Sequence, residues 1–344
     1  MIAHALTVSL LAVVLHDHAN HQVVRVKPPS GTAGKFRELW CAPSFQLDPT
    51  GPTCSRRDVE GVDGAFVLSD VLSRDEAARL VAMAERMGFD GEDGDAAGRT
   101  SAACSWCLHH ELAEQLVRRM ATLLPWGVAV HSPGTPAPRD EQLPHVAGKP
   151  PWVRQIGGVP EGIYTLDGIN CRARLYRYES DGADRFLPHY DEVWPGSRLV
   201  FGADGEDGDD ADAPTLDQDR WKYADGRTPE ATCKWAWAPG DRVSHLTVLL
   251  YLNDDFEGGE TVLYPGSHAS ETPEEGSPRV AFTPVAGSCL LFGQSFKFGR
   301  EGVAVSADAV LHEGVPVRRS PAAGASSVKY VLRTDVCYAM PYRG

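Results

Sequence analysis

Basic residues are scarce in this chain: 33 Lys and Arg stand against 47 Asp and Glu, a formal net charge of −14 over 344 residues. That balance argues against a nucleic-acid backbone or an anionic membrane surface as the main partner, because both require a positive face. Long apolar runs are missing too. The apolar stretch at residues 5–15 is too short to span a bilayer. It has the length of a signal-peptide core, but no Lys or Arg precedes it and no cleavage site stands out. Residues 1–20 therefore leave both the secretory pathway, with its endoplasmic reticulum, and the cytoplasm open as locations. The eight cysteines are thinly spread, and only Cys104 and Cys107 lie close together. With no second pair at matching spacing, a zinc module is disfavoured, and structural thiols or a local disulfide are expected.

What is present is a hydrophobic content of 42%, enough to bury a substantial core. Residues 1–60 read as an N-terminal extension, since 16–60 are rich in Pro, Gly, Ser and charge without a sustained period. Residues 61–344 read as one domain, with helical support over 61–150. Its core spans 151–344 and carries an insertion at 193–243. Ser73-Arg74-Asp75-Glu76 forms a capping box, and Ala77, Leu80, Val81, Ala84 and Met87 recur at helical spacing as far as Gly88. A second helix is expected over 109–124, with Leu112, Leu116, Met120 and Leu123 on one stripe and Pro125 ending it.

Beyond Trp152 short alternating or apolar runs take over, the clearest at 173–178, 246–252, 287–292 and 328–336. They predict an antiparallel sandwich or barrel, so the expected class is mostly β with flanking α. The run 204–219 is dominated by Asp, Gly and Ala and reads as a solvated loop; it lacks the ligand spacing and closing glutamate of a calcium loop. Trp221, Trp235 and Trp237 indicate that the insertion is partly ordered, either as a lid or rim or packed on the outside.

The chemistry gathers on a few strands. His189 and Asp191, in Leu187-Pro188-His189-Tyr190-Asp191, are separated by one residue and so project from one face of a strand. An imidazole and a carboxylate placed so can grip one metal ion. A second histidine from a later strand, for which His312 in Leu311-His312-Glu313-Gly314 is the candidate, completes the facial two-histidine, one-carboxylate set that suits iron(II). Tyr176 and Tyr178 share a face ahead of His189, and Leu249 and Tyr251 share one on a later strand. Gly258-Gly259-Glu260-Thr261 and Pro284-Val285-Ala286-Gly287 form turns, and Lys329 lies on a strand after His312. His245 and His268 have no carboxylate at ligand spacing and are read as structural.

These pieces in this order resemble the iron(II) and 2-oxoglutarate dependent dioxygenases, specifically the prolyl 4-hydroxylase-like branch. The matching segments are Tyr176-Arg177-Tyr178, Pro188-His189-Tyr190-Asp191, Leu250-Tyr251-Leu252-Asn253-Asp254, Gly258-Gly259-Glu260-Thr261, Pro284-Val285-Ala286-Gly287-Ser288, His312-Glu313-Gly314 and Lys329-Tyr330. The resemblance implies a double-stranded β-helix, or jelly-roll, core of eight strands with N-terminal helices. It also implies that His189, Asp191 and His312 ligate Fe(2+) and that Lys329 meets the distal carboxylate of 2-oxoglutarate. Tyr178 and Tyr251 would donate to the same carboxylate, beside pocket walls from Leu249 and Thr261. Arg333, on the same strand face, is the rival cation. The implied reaction consumes O2 and hydroxylates a C–H bond with succinate and CO2 as co-products. The implied substrate is a peptidyl proline in a peptide or protein, and the implied reductant is L-ascorbate. Another residue or a small molecule is the alternative substrate.

Two departures from the family pattern stand out. The stretch from His312 to Lys329 is longer than usual, as is that from Asp191 to His312, and the second bears on what the rim selects. The other readings are a metal-binding or sensor jelly roll without turnover, against which Lys329 argues, and a zinc hydrolase, for which no general-base glutamate is placed beside the ligands in a recognisable motif.

Overall fold

The computed structural model describes residues 23–25, 39–41, 45–89, 100–108, 110–157, 159–180, 184–194, 196–201, 233–237, 242–266, 272–273, 275–296, 308–318 and 328–340. The apolar stretch 5–15, the acidic run 204–219, Trp221 and His268 lie outside them. In chain order come β1 (Val23–Arg25), β2 (Leu39–Cys41), β3 (Ser55–Asp58), β4 (Phe66–Ser69), α1 (Arg74–Met87), β5 (Ala102–Cys107), α2 (His110–Met120) and β6 (Gly127–His131). There follow β7 (Trp152–Gln155), β8 (Gly162–Ile169), β9 (Arg172–Glu179), β10 (Phe186–His189), β11 (Ser197–Phe201), β12 (Cys233–Trp237) and β13 (Arg242–Tyr251). The chain ends with β14 (Glu257–Gly258), β15 (Thr261–Tyr264), β16 (Val280–Phe282), β17 (Cys289–Gly293), β18 (Leu311–Gly314), β19 (Val317–Arg318) and β20 (Val328–Ala339).

Most of these strands join one large sheet, ordered β1-β2-β5-β9-β20-β13-β17-β4-β3, to which β8, β6 and β7 attach beside β20. A smaller sheet runs β10-β18-β15-β16. Strand alternation gives the large sheet two unlike faces. Leu246, Val248 and Leu250 of β13, with Leu332 and Val336 of β20 and Leu175 of β9, turn outward and pack with Leu80 of α1 and with Leu112 and Leu116 of α2. The intervening positions, Leu249 and Tyr251 of β13, Val331 of β20 and Tyr176 and Tyr178 of β9, turn inward onto Leu263 of the smaller sheet. The architecture is mostly β, and its curled sheets fit a jelly roll.

Helix α1 begins where the capping box predicts: Ser73 Oγ accepts from the Glu76 N–H and the Glu76 carboxylate accepts from the Ser73 N–H. Glu76 also pairs with Arg119 at 2.7 Å, tying α1 to the end of α2. Burial would raise the Glu76 carboxyl, but the Arg119 guanidinium and the Ser73 and Asp48 amides hold it down at about 2.

Described structure continues ahead of Gly61. Strand β3 pairs with β4 at the edge of the large sheet, and the Leu47 and Asp48 amides donate to Gln115 Oε1 (2.8 Å) and Glu76 Oε1 (2.6 Å). All four residues of β3 are exposed and three are charged, which suits a sheet edge that must not pair further. The span 61–150 contributes strands β4, β5 and β6 to that sheet alongside helices α1 and α2. Of the two readings of the thiols, the local disulfide does not form: Cys104 is buried within strand β5, where its register on β9 fixes its place.

Candidate metal centre

The small sheet brings the two histidines together. His189 and His312 are register partners in the antiparallel pair β10/β18, and their rings lie 4.2 Å apart. Asp191 follows just past the end of β10, held by its carbonyl, which accepts from the Ser295 N–H at 2.8 Å. The ligand atoms of the three residues all fall within 4.8 Å of one another. His189 Nε2 lies 3.8 Å from Asp191 Oδ1, and His312 Nε2 lies 3.7 Å from Asp191 Oδ2.

The set fits a divalent ion on two grounds. His189 Nδ1 faces the Leu187 carbonyl at 2.7 Å and His312 Nδ1 faces the Val310 carbonyl at 3.1 Å. A carbonyl can only accept, so each Nδ1 carries the proton and each Nε2 keeps its lone pair for a metal. The second ground is charge. Burial by itself would raise the Asp191 carboxyl, but Arg333, His312 and His189 reverse this and hold it well below the ordinary carboxylate range. Burial, helped by His189, lowers His312 to about 3, which keeps it in the neutral form that ligates. Phe186 stacks on His189 at 3.5 Å and Phe292 approaches His312 at 4.4 Å, giving the site apolar walls.

One pocket joins this cluster to the inner face of the large sheet. His189, Asp191 and His312 line it together with Tyr178, Leu249, Thr261, Lys329 and Arg333. Lys329 projects from β20 opposite Tyr178 and is buried, with Nζ donating to the Gly259 carbonyl at 2.6 Å and lying 5.2 Å from the Tyr178 ring centre. No carboxylate among the described residues lies within ion-pairing distance of it, and Glu260 acts only at longer range. Burial consequently lowers the ammonium to about 7. The close approach explains Gly259: its φ is +65°, and a Cβ there would meet Phe256 at 2.9 Å and Lys329 Cδ at 3.2 Å.

Of the residues assigned to the metal and its cosubstrate, only Tyr251 stands back from the pocket lining. It is fully buried, and its hydroxyl shares a 2.7 Å hydrogen bond with Thr261 Oγ1, so it supports a wall. Arg333 is placed differently from Lys329: Nη2 lies 3.1 Å from Asp191 Oδ1, Nε lies 3.2 Å from Asp191 Oδ2, and Nη2 reaches Asp335 at 3.6 Å. His245 lies away from the cluster, packed among Tyr164, Phe296 and Tyr338 with Nδ1 facing Arg154 at 3.3 Å. Burial and then Arg154 keep its pKa far below the ordinary value, so it stays neutral.

Three contributors had not been picked out. Thr247 Oγ1 donates to Asp191 Oδ2 at 2.8 Å, and Asp335 balances Arg333. Both could have been found by extending the alternation, Thr247 from Leu249 and Tyr251, Asp335 from Lys329 and Arg333. Gln294, which bonds both Thr247 and Asp335, lies just past β17 and gives no such signal.

No family model and no curated protein matches this chain. Solved structures do. The viral collagen prolyl hydroxylase of Paramecium Bursaria Chlorella virus-1, in its 2OG complex, is matched at 15% identity over 84% of this chain and 98% of that chain, with a TM-score of 0.35. A prolyl-4-hydroxylase from Pseudomonas putida is matched at 11% identity over 79% and 91%, with a TM-score of 0.36. The non-heme alpha ketoglutarate dependent epimerase SnoN from nogalamycin biosynthesis is matched at 15% identity over 80% and 78%, with a TM-score of 0.34. Likeness this distant leaves the chemistry to be argued from this chain's own side chains, and those supply a His-Asp-His cluster that fits a facial triad.

Proposed function

We propose that this protein is an iron(II)- and 2-oxoglutarate-dependent dioxygenase that hydroxylates a C–H bond. One observation carries the reading: a His-Asp-His cluster and a buried lysine with no carboxylate within ion-pairing distance among the described residues line the same pocket. The first is built for a cation and the second for an anion. A metal ion held by His189, Asp191 and His312, with a dicarboxylate held by Lys329, would answer both. Fe(2+) with 2-oxoglutarate and O2 supplies oxidative decarboxylation, which yields succinate and CO2 and hydroxylates the substrate.

The chain's own residues bind and shield. His189, Asp191 and His312 hold the metal, with each Nδ1 proton committed to a main-chain carbonyl. Lys329 fixes the distal carboxylate, with the Tyr178 hydroxyl as a further donor, Thr261 and Leu249 as walls and Tyr251 buttressing Thr261. The Phe186 and Phe292 rings exclude water from the histidines. A peptidyl proline is the proposed substrate and ascorbate the proposed reductant, on the motif order from Tyr176 to Lys329.

The test is succinate formation by the full-length protein given Fe(2+), 2-oxoglutarate, ascorbate and a proline-rich peptide library. Iron-dependent succinate that disappears in His189→Ala is expected. Wild-type protein without it, or undiminished turnover in His189→Ala, would overturn the dioxygenase. Succinate stimulated by non-prolyl peptides or small molecules alone would overturn only the substrate.

A further inference from the structure

Gln294 is completely buried one residue beyond β17, outside the pocket lining, and its side chain makes three polar contacts. Counting protons along them gives the contacts a direction. Asp335 Oδ1, a carboxylate oxygen, faces the Gln294 amide at 2.8 Å and accepts, so the atom there is Nε2, which also donates to Thr247 Oγ1 at 3.1 Å. Oε1 then accepts from Ser244 Oγ at 2.6 Å, and Ser244 Oγ in turn accepts from the Trp194 N–H at 2.7 Å. Thr247 Oγ1, accepting from Nε2, has one proton left, and Asp191 Oδ2 takes it at 2.8 Å.

The chain of bonds closes on itself. Asp335 reaches Arg333 at 3.6 Å, and Arg333 returns to Asp191 at 3.1 Å. Ser244, Thr247, Gln294 and Asp335 are all fully buried, so water cannot replace a bond that one of them loses. Trp194 lies three residues past Asp191 and three before the start of β11, and its carbonyl accepts from the Ser244 N–H at 3.0 Å.

We propose that Gln294 is a positioning residue: it dictates that the Thr247 proton points at Asp191, and so fixes the orientation of the metal-binding carboxylate. The inference rests on the reading of His189, Asp191 and His312 as a metal centre. Gln294→Glu nearly preserves shape but replaces two donated protons with an acceptor, so the Thr247 proton turns toward the new carboxylate and away from Asp191.

Metal-free full-length protein is titrated with Mn2+ by calorimetry and with Co2+ while its visible d–d absorption is recorded. Gln294→Glu and Thr247→Val are each expected to weaken Mn2+ binding on the order of tenfold, the scale of outer-shell losses at metal sites. Thr247→Ser should restore wild-type affinity, and the Co2+ absorption of Gln294→Glu should differ in shape from that of wild type. Because Gln294 acts through Thr247, the double variant should bind no more weakly than Thr247→Val. Wild-type affinity and absorption in Gln294→Glu would overturn the inference, as would fully additive losses in the double variant. If Gln294→Glu does not fold, as judged by circular dichroism, Gln294→Met removes the donors without adding charge and is held to the same outcomes. A wild-type protein that binds neither ion overturns the metal centre and this inference with it, an outcome distinct from a wild type that binds while the variants bind equally well.

Discussion

Asp191 and Lys329 line one pocket and are almost equally inaccessible, at 8% and 2% exposure, yet the fold treats their charges in opposite ways. Asp191 is surrounded: Arg333 contacts both oxygens, Thr247 donates to one, and two imidazole Nε2 atoms lie within 4 Å. Lys329 has one carbonyl and two aromatic rings. A buried charge without a partner costs several kcal/mol, and a chain keeps such a charge where a ligand completes it. On the proposed function, the contrast separates a centre organised before anything binds from a subsite that becomes balanced only when its anion arrives.

The contrast breaks most completely at the centre itself. His189→Ala or His312→Ala removes one of only three ligands, so Mn2+ binding and iron-dependent succinate formation should both be abolished, measured by calorimetry and by succinate quantitation. Arg333→Leu tests the surrounding charge. It leaves Asp191 and Asp335 without their shared guanidinium, and the metal-free protein should lose about 3 to 5 kcal/mol in denaturant unfolding, the scale of breaking a buried pair. Saturating Mn2+ should recover part of that loss, because the ion takes over as the partner of Asp191. Equal losses with and without Mn2+ would show that Arg333 serves the scaffold alone.

At the other end, Lys329→Ala should raise the 2-oxoglutarate requirement about 100-fold, since truncating one member of a buried charged pair costs 2–5 kcal/mol. Mn2+ affinity should stay unchanged. If Arg333→Ala raises the requirement and Lys329→Ala does not, the two cations have exchanged roles. Stability gives an independent reading. The Lys329 ammonium is lowered to about 7 when folded, against an ordinary value of 10.5, so between those pH values the unfolded chain holds a proton that the folded protein releases. The penalty for burying Lys329 is therefore complete below pH 7 and fades as pH rises toward 10.5. Lys329→Met should stabilise the metal-free protein, and its advantage over wild type should shrink across that window.

Much of this site is legible in the chain because a strand has a period of two. His189 and Asp191, Leu249 and Tyr251, and Lys329 and Arg333 each sit at even spacing, which assigns each pair to one face before any coordinates are known. Which cation faces which carboxylate is another matter. It depends on β20 lying between β9 and β13, so that Lys329 falls beside Tyr178 while Arg333 falls beside Leu249 and near Asp191. Gln294 escapes for the same reason: its partners come from β13 and β20, and no local pattern encodes them. Residues 45–58 are likewise held by backbone and side-chain hydrogen bonds, which leave no hydrophobic period to read.

The finest test of the contrast lies in the two tyrosines assigned to the same carboxylate. Tyr178 lines the pocket beside Lys329, whereas the Tyr251 hydroxyl is already engaged by Thr261 behind the wall. If the lysine end awaits its ligand, the donor that faces the pocket should matter for that ligand and the donor already committed to the protein should not. Tyr178→Phe should therefore raise the 2-oxoglutarate requirement about five- to tenfold, the worth of one hydrogen bond. Tyr251→Phe should leave it near wild type and instead lower thermal stability by about 1 kcal/mol, since Thr261 loses a buried partner. Succinate formation at varied 2-oxoglutarate, with thermal unfolding run in parallel, separates the two. A reversed pattern would move the carboxylate deeper than Lys329, toward Thr261 and Tyr251, and the lysine would then mark the mouth of the subsite instead of its end.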